Sequence, residues 1–474
     1  MSSISALNSL LGSSSSSNSA INLSQILEAA LGASSEGIDV NSAVSAALSA
    51  AEQPETQWES QYSTLQNQVS ALNAIQSDAN TLDTDMQSLN NLMGPLSATT
   101  VASSNSSIVT GTAVSGTASG NHVVEVSSLA TTASWASDII ATASTPLAAG
   151  SFTITGANGT VTTISTGSGS STLNDVASTI NGDNLGVTAT VVTDATGARL
   201  AIVSNTSGSA ANFSVSAPTG GSLSFSQTAT GANASLTVDG LQISSASNDV
   251  TGVVPGLTLN LQSASLNTPV SLSISPDTSQ ASTAINQFVT DYNTLINAVN
   301  AQFADSGSGE GVLATDPTVR NLQSELLQVL DYTYVPSYGT TGVPNLSSLG
   351  ITVNKDGTLN VDAATLSNAL NNNFSDVQTF FQGTALNGFA NELDQQLTNF
   401  TSPADGAFTV DLQSMSTQES TLQTDVTNFQ TNVIAPLQTQ LQSEYSQAEI
   451  ALQQLPTQMK EIDEELGMNN SSNG

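Results

Sequence analysis

The 474-residue chain has no cysteine and a single histidine, His122. Without cysteine it can form neither a disulfide framework nor a thiolate metal site, and it has no cysteine nucleophile. A serine nucleophile would need a lysine base, yet neither Lys355 nor Lys460 lies in a serine–lysine motif. His122 has no second imidazole with which to bind a metal, so we expect a hydrogen-bonded surface or edge residue. The sequence predicts no enzyme.

Basic residues are almost as scarce. The chain has 4 lysines and arginines (Arg199, Arg320, Lys355 and Lys460) against 38 acidic residues, which gives a net charge of -34. Nucleic acids and anionic membranes are bound by clustered basic side chains, so neither is an expected partner. The abundance of Ser, Thr, Ala, Asn, Gln and Gly is typical of exported bacterial surface proteins.

Long apolar runs are also missing, and none approaches the roughly 18 residues that a membrane-spanning helix needs. The first residues, MSSISALNSLLGSSSSSNSA, lack the basic region of a secretory signal. We therefore expect residues 1–36 to be a flexible Ser-rich leader, read in an unfolded state by a dedicated export route.

Two segments near the chain ends show helical heptads. In the first, residues 37–96, apolar side chains alternate at steps of four and three, with one three-residue stammer. A helix of about 35 residues is roughly 50 Å long and needs a partner helix. The predicted N-terminal coiled-coil seam consists of Trp58, Tyr62, Leu65, Val69, Leu72, Ile75, Leu82, Met86 and Leu89.

The second segment, residues 411–474, is predicted to be a C-terminal coiled-coil helix with a flexible tail. Pro436 and Pro456 should kink or divide it, because each removes a helical N–H. Two interpretations stay open: a helical hairpin within one chain, or assembly between subunits. The predicted C-terminal seam, also a chaperone-binding candidate, consists of Leu441, Tyr445, Leu452, Leu455, Met459, Ile462 and Leu466.

Between these helices, residues 97–276 follow the period-two pattern of strands. Asp239-Gly240 is a strong hairpin signal, and the leucines of 257–261 are expected to pair with the strand at 270–274. A break near Pro146 predicts an inner β head domain, 146–228, inserted into an outer one formed by 97–145 and 229–276. STLNDVASTIN at 171–181 is the one helix-like interruption.

Helical periodicity returns in residues 277–410, a predicted helical stem domain with a hairpin at 349–362 that turns at Asp356-Gly357. The fold class is therefore α+β: a helical stem from both chain ends, holding β-rich head domains.

NKDGTLNVD at 354–362 lacks the first ligand and the glutamate of an EF-hand loop, so it indicates a turn rather than a metal site. Asp83 with Asp85, and Asp463 to Glu465, are expected on solvated helix faces. No cofactor is predicted.

The sequence resembles the flagellar filament cap family, also called the hook-associated protein 2 family. The resemblance follows family order and covers most of residues 37–381. It rests on GIDVNSAVSAALSAAEQP with Trp58 and the heptads after it, HVVEVSSLA at 122–130, GVTATVVTDATGARLAIVSNTSG at 186–208, ANASLTVDGLQISSASNDVTGVVPGLTLNL at 232–261, DTSQASTAINQFVTDYNTLI at 277–296, GVLATDPTVRNLQSEL at 311–326 and LGITVNKDGTL at 349–359.

This resemblance implies export through the flagellar type III apparatus and a ring of copies at the distal filament tip, where flagellin folds and inserts. It also implies terminal helices that act as legs, β heads that form a plate, and a cytoplasmic export chaperone on the C-terminal helix. Flagellin and hook–filament junction proteins are the other implied partners. The ring stoichiometry does not follow from the sequence.

Other interpretations remain for the same features. A β-rich head on a coiled stalk is also the architecture of an adhesin that binds surface glycans, and a cap plate is compatible with that role. Another axial component, such as a hook–filament junction protein, would also carry terminal helices around a β insert.

Overall fold

The computed structural model describes residues 40–167, 171–221, 223–304, 310–335 and 342–465. The predicted leader, residues 1–36, and Leu466 lie outside these ranges. The described residues divide into two compact units. The first takes the residues up to 80, 297–324 and those from 397 onward, and the second takes 81–296 and 325–396.

These residues form ten α-helices and eighteen strands. The helices are α1 (Val40–Ala51), α2 (Gln53–Asn90), α3 (Leu173–Gly182), α4 (Thr278–Phe303), α5 (Pro317–Val329), α6 (Ala363–Asn372), α7 (Phe374–Gln382), α8 (Phe389–Thr401), α9 (Ala407–Phe429) and α10 (Ala435–Glu465). None of them combines the length and apolar character that a membrane span requires.

The strands are β1 (Thr99–Ser103), β2 (Val109–Ala113), β3 (Gly120–Ser128), β4 (Ser134–Ser137), β5 (Gly150–Thr155), β6 (Val161–Thr166), β7 (Val187–Asp194), β8 (Gly197–Ser204), β9 (Ser214–Val215), β10 (Thr219–Gly220), β11 (Phe225–Ala229), β12 (Ala234–Val238), β13 (Leu241–Ser245), β14 (Asp249–Val254), β15 (Leu257–Leu261), β16 (Val270–Pro276), β17 (Ile351–Val353) and β18 (Leu359–Val361). Helices near both chain ends thus flank a β-rich region, which confirms the α+β prediction.

The predicted N-terminal helix is two helices, because α1 ends at Ala51 and α2 begins at Gln53. Pro54 lies in the first turn of α2, where the missing N–H would have had no helical partner anyway. The helix α2 ends at Asn90, shortly before Gly94-Pro95.

The first β body contains two antiparallel sheets, ordered β1-β16-β3-β12-β13 and β14-β15-β2. Alternate side chains of these strands point into one apolar core, which includes Val124, Val126, Leu236, Leu259, Leu272 and Ile274. The β12–β13 hairpin turns at Asp239-Gly240, with φ of 51° and 82°. Positive φ at both central residues is the type I′ geometry, so this hairpin prediction is confirmed.

The predicted pairing of 257–261 with 270–274 is wrong. β15 lies between β14 and β2, whereas β16 lies between β1 and β3 in the other sheet. Both strands alternate apolar side chains toward the same core, and alternation alone does not identify the neighbouring strand.

The second β body is inserted into the first. Its sheets, β11-β4-β8-β7 and β10-β5-β6 with β9, share a core with α3. That helix begins with a capping box in which Thr172 and Asp175 exchange hydrogen bonds, and it confirms the helix-like signal at 171–181.

The predicted boundary at 146 is wrong, because β4 already belongs to this body. The Trp135 indole N–H on β4 donates to the carbonyl of Phe213 at 3.1 Å.

Thr131 and Ala232 pair at the point where the chain passes between the two β bodies. Their backbones form an antiparallel bridge with N···O distances of 2.9 and 3.3 Å, so the chain enters and leaves the second body at one point. We predict that replacing residues 132–231 by an Asn-Gly turn leaves a cooperatively folded protein. Its urea m-value should fall by about a fifth, in proportion to the lost surface. Loss of cooperative unfolding, measured by circular dichroism, would contradict the insertion.

Helices of the second unit form an aromatic core. Phe288, Tyr292, Phe380, Phe381 and Phe389 are completely buried there. The hairpin of β17 and β18 turns at Asp356-Gly357, as predicted. The side-chain amide of Asn293 on α4 holds it: its nitrogen donates to the Leu359 carbonyl at 2.8 Å, and its oxygen accepts from the Leu359 N–H at 2.6 Å.

The C-terminal helical segment runs from Ala407 to Glu465 as α9, one π-helical segment (Gln430–Ile434) and α10. The predicted kink or break at Pro436 corresponds to this π-helical interruption between α9 and α10. The wider π turn directly precedes Pro436, where it relieves the clash between the proline ring and the carbonyl four residues earlier. Pro456 lies inside α10 without ending it.

Candidate assembly site

Every residue of the predicted N-terminal seam is at least half-buried. Trp58, Tyr62 and Val69 are half-buried. The fully buried members are Leu65, Leu72, Ile75, Leu82, Met86 and Leu89.

In the first unit, the C-terminal helical segment packs antiparallel against α1 and the first turns of α2. Trp58 meets Phe429 edge to face, with ring centroids 5.4 Å apart. The Gln423 amide donates to the Tyr62 hydroxyl at 3.0 Å, and further along, the Gln430 amide donates to the Glu55 carboxylate. Higher residue numbers on α2 lie beside lower residue numbers on the C-terminal helical segment, so the two run antiparallel. We call this arrangement of α1 and the start of α2 against α9 and α10 the terminal helix pair.

The terminal helix pair has an open surface cleft of about 340 Å³, lined by Glu59, Tyr62, Leu422, Gln423, Val426 and Thr427. Two contacts of the pair are hydrogen bonds, one from an amide to a hydroxyl and one from an amide to a carboxylate. Such hydrogen bonds each contribute only about 1 kcal/mol net, so this packing can be exchanged for that of another helix at small cost.

The C-terminal seam has a half-buried part and a solvent-exposed part. Leu441 and Tyr445 are half-buried where α1 packs on α10, and Val44 of α1 is 4% exposed. Leu466 lies outside the described residues. The remaining four seam residues are open to solvent, at 40% for Leu452, 46% for Leu455, 63% for Met459 and 53% for Ile462. We call these four residues the distal stripe. Trp58 and Tyr62 of the N-terminal seam contact α9.

Two carboxyl pairs join α2 to its neighbours in the second unit. Asp83 pairs with Asp394 on α8, and Asp85 pairs with Asp291 on α4. Burial, the hydrogen bond that the protonated carboxyl donates to its partner, and the partner's charge, in that order, raise the pKa of Asp83 and of Asp85 to about 7. The prediction that Asp83 and Asp85 lie on solvated faces is therefore wrong. The side chains of Asp463 to Glu465 lie outside the described part of the chain.

Each pair can form its hydrogen bond only while it shares one proton. The Oδ1 atoms of Asp83 and Asp394 and the Oδ2 atom of Asp85 are buried and have no other hydrogen-bond partner. Neighbouring amides support the pairs, since Gln87 donates to Asp83 at 3.1 Å and Gln287 donates to Asp291 at 2.7 Å. When the proton leaves, two carboxylates face each other across a helix interface.

Stability should therefore fall with rising pH between about 4 and 7. The folded-state pKa values of Asp83 and Asp85 lie above the unfolded value, so the folded state holds extra protons in this window and loses them as pH approaches 7. Each extra proton lowers the free energy of unfolding by at most about 1.4 kcal/mol per pH unit, and solvent screening reduces this figure. The measurement is urea unfolding at pH 5 and pH 8.

The variant Asp83→Asn with Asp85→Asn should weaken this pH dependence, because each amide N–H replaces the shared proton. Glu59→Gln, which removes an exposed carboxylate from the same helix, is the control for loss of an acid that shares no proton. Equal pH dependence in the double variant and the control would disprove the proton-sharing pairs.

His122 and Asp356, the two other residues considered as site candidates, form hydrogen bonds that stabilise β turns. His122 lies on β3, and its Nδ1 is 2.7 Å from the Asp239 carboxylate at the β12–β13 turn. In the second candidate, the Asp356 carboxylate accepts from the Thr358 N–H and hydroxyl, which closes the turn and lowers the pKa of Asp356. Across the described ranges, no group of three or more His, Asp or Glu side chains is placed to hold a metal ion.

One important buried residue was not predicted from the sequence. Gln382, at the end of α7, is 3% exposed, and its amide donates to the carbonyls of Leu89 and Asn91 at 3.1 Å each. It thereby caps the C-terminus of α2, where helical carbonyls have no intrahelical partner. No local signal identifies a cap that lies almost three hundred residues away in the sequence.

Comparison with known proteins gives three family matches in chain order. Residues 36–133 match the flagellar hook-associated protein 2 N-terminus, residues 231–459 match the C-terminus of the same family, and residues 151–206 match the flagellin hook IN motif. The third match lies within the inserted β body.

Curated relatives and a solved structure agree with these matches. The B-type flagellar hook-associated protein 2 of Pseudomonas aeruginosa is 30% identical over 370 residues, which are 71% of this chain and 77% of the relative. The lateral flagellar hook-associated protein 2 of Vibrio parahaemolyticus is 30% identical over 277 residues, 54% of this chain and 60% of the relative.

Among solved structures, the D1-D2-D3 domains of the flagellar cap protein FliD from Escherichia coli superimpose with a TM-score of 0.58 at 25% identity. The superposition covers 73% of this chain and 99% of that one. The order of the matches, the extent of the relatives and the shared fold together establish that this chain belongs to the flagellar hook-associated protein 2 family.

Proposed function

We propose that the chain caps a flagellar filament: copies form a ring at the distal end of the growing filament and promote the folding and insertion of flagellin. The observation that supports this most is the similarity, over almost three quarters of the chain, to a solved structure described as a flagellar cap protein. No enzymatic step is part of the proposal.

In this proposal the terminal helix pair forms a leg that contacts filament subunits. The distal stripe supplies apolar contact area, and the exchangeable hydrogen bonds of Tyr62 and Glu55 keep each contact weak. Weak contacts matter, because a cap that remains on a growing filament must release and rebind its neighbours for each flagellin that enters. The two β bodies form the plate.

The partners follow from this arrangement. Other copies of the chain would form the ring, flagellin would pass beneath it, and hook–filament junction proteins would hold it before the filament exists. A cytoplasmic export chaperone would bind the C-terminal seam before export through the flagellar type III apparatus, and the protein would then reside at the distal tip. Surface glycans on the plate would make it an adhesin as well.

The test is deletion of the gene in the bacterium that encodes it, followed by assay of flagellin in the culture medium. We expect short or absent filaments and unpolymerised flagellin in the medium, both corrected by adding the purified protein. Normal filaments in the deletion strain would refute the cap function, and loss of surface attachment with normal filaments would favour the adhesin.

A further inference from the structure

The strand β7 lies at the edge of a sheet and lacks the usual protection of an edge. Among the described strands it has a neighbour on one side only, β8, and it pairs with β8 over its whole length without a bulge. Its residues 187–193, VTATVVT, are all β-branched except Ala189, and they include no charge, proline or glycine. Charged residues, prolines and bulges are the means by which proteins usually keep another strand from an edge. This segment therefore needs protection from elsewhere in the fold.

The side chain of Asn181, near the end of α3, supplies that protection on the open side of β7. Its amide nitrogen donates to the Ala189 carbonyl at 2.9 Å, and its amide oxygen accepts from the Ala189 N–H at 2.8 Å. A residue of an antiparallel neighbour strand would form the same two hydrogen bonds. Asn181 thus occupies the position of one residue of an additional strand.

These hydrogen bonds also identify the backbone groups that lie on the open side. Every second residue of a strand directs its N–H and C=O groups to the same side, so Val191 and Thr193 point the same way as Ala189. Val191 is half-buried and Thr193 is exposed. A new strand that paired with these two residues could continue along β7 only by displacing Asn181 from Ala189.

We propose that Asn181 closes the edge of β7 and thereby prevents pairing between the β7 strands of two copies of the chain. A second β7 fits this edge, because antiparallel pairing of identical strands has twofold symmetry and each copy contributes the same groups. Charge favours this occupant too. The chain carries a net charge of -34, whereas residues 187–193 are uncharged, so two β7 strands meet without like charges at the contact.

Replacing Asn181 with alanine removes both hydrogen bonds and should open the edge. Sedimentation equilibrium of the full chain should then give a weight-average mass about twofold above that of the unchanged chain at the same concentration, because paired edges join copies two at a time. Asn174→Ala, which truncates an exposed asparagine on the same helix, is the matched control and should leave the mass unchanged. Far-UV circular dichroism checks the folding of both, and Asn181→Ser replaces the alanine variant if that one unfolds.

A second substitution locates the contact on β7. Thr190 is exposed and its backbone groups face β8, so Thr190→Lys keeps the β7–β8 pairing and adds a charge to the outer face of the edge strand. Lysine on an edge opposes strand addition. Combined with Asn181→Ala, it should restore the mass of the unchanged chain.

Amide exchange shows whether the association uses the backbone of the edge. In the associated Asn181→Ala protein, exchange at Val191 and Thr193 should slow several-fold, because a neighbour strand would accept from their N–H groups. An unchanged mass for the folded variant would overturn the proposal. Association that Thr190→Lys does not reverse, or that leaves exchange at these two residues unchanged, would overturn it as well.

Discussion

Replacing Phe389 with alanine should lower the free energy of unfolding of the second unit by about 3–5 kcal/mol. The ring is completely buried and has four aromatic neighbours: Phe380 stacks on it at 5.4 Å between centroids, and Phe288, Phe381 and Tyr332 meet it edge to face at 5.7, 5.9 and 6.1 Å. Alanine would leave a cavity that these rigid rings cannot fill, since each is held by contacts of its own.

Two controls make this prediction specific. Phe389→Leu keeps most of the apolar volume and should cost less than the alanine variant. Val335→Ala removes a side chain that is 80% exposed and should change stability by no more than about 0.5 kcal/mol. Urea unfolding followed by far-UV circular dichroism measures all three. A loss below about 1 kcal/mol for Phe389→Ala would show that the aromatic cluster does not form the core.

Replacing Gln382 with methionine should destabilise the junction between α2 and α7 by about 1–3 kcal/mol. Methionine has a similar length and flexibility, but it has no N–H for the carbonyls of Leu89 and Asn91. These acceptors then lose their donors in a buried site, and an unpaired buried acceptor costs about that much. The gain from burying a more apolar side chain offsets only part of the loss.

Gln378 provides the matched control one helical turn earlier on α7. Its amide donates to the Ser97 hydroxyl at 3.0 Å in a partly buried position, where water can replace it. Gln378→Met should therefore cost clearly less than Gln382→Met. Amide exchange at the last turn of α2 locates the effect, and equal protection there in both variants would contradict the capping role.

Local patterns in the sequence predicted local structure well. The period-two runs became strands, Asp239-Gly240 and Asp356-Gly357 became hairpin turns, and the heptads before Asn90 became a buried helix face. In each case the signal and the structure lie within a few residues, so the physical cause is contained in the segment itself.

Contacts between distant segments were harder to predict. Alternation in β15 and β16 indicated that each strand has a buried face, but not which strand lies beside it. The pairs of Asp83 with Asp394 and of Asp85 with Asp291 join positions far apart in the chain, and an isolated aspartate on a polar helix usually faces solvent. Burial of these carboxyls is set by the neighbouring helices rather than by local sequence.

For the two helical seams, too, the sequence predicted the local pattern but not the packing partner. Heptads predicted two seams, and the structure covers the first while it leaves the distal stripe of α10 exposed. The prolines predicted kinks or breaks; a π turn interrupts the α-helix before Pro436, whereas the helix continues through Pro456. The sequence therefore indicates which faces need partners, and the packed structure shows which of them are still uncovered.

The central claim is that the chain caps the distal end of a filament, and labelling with a single cysteine tests it most directly. Val161→Cys introduces the only thiol of the chain at a position on β6 that is 60% exposed, so one fluorophore marks each copy. The labelled protein is added to the short filaments of the deletion strain, which are then imaged. The account predicts one spot at the distal end of each filament and renewed growth. Label along the shaft, or at the cell-proximal end, would contradict it.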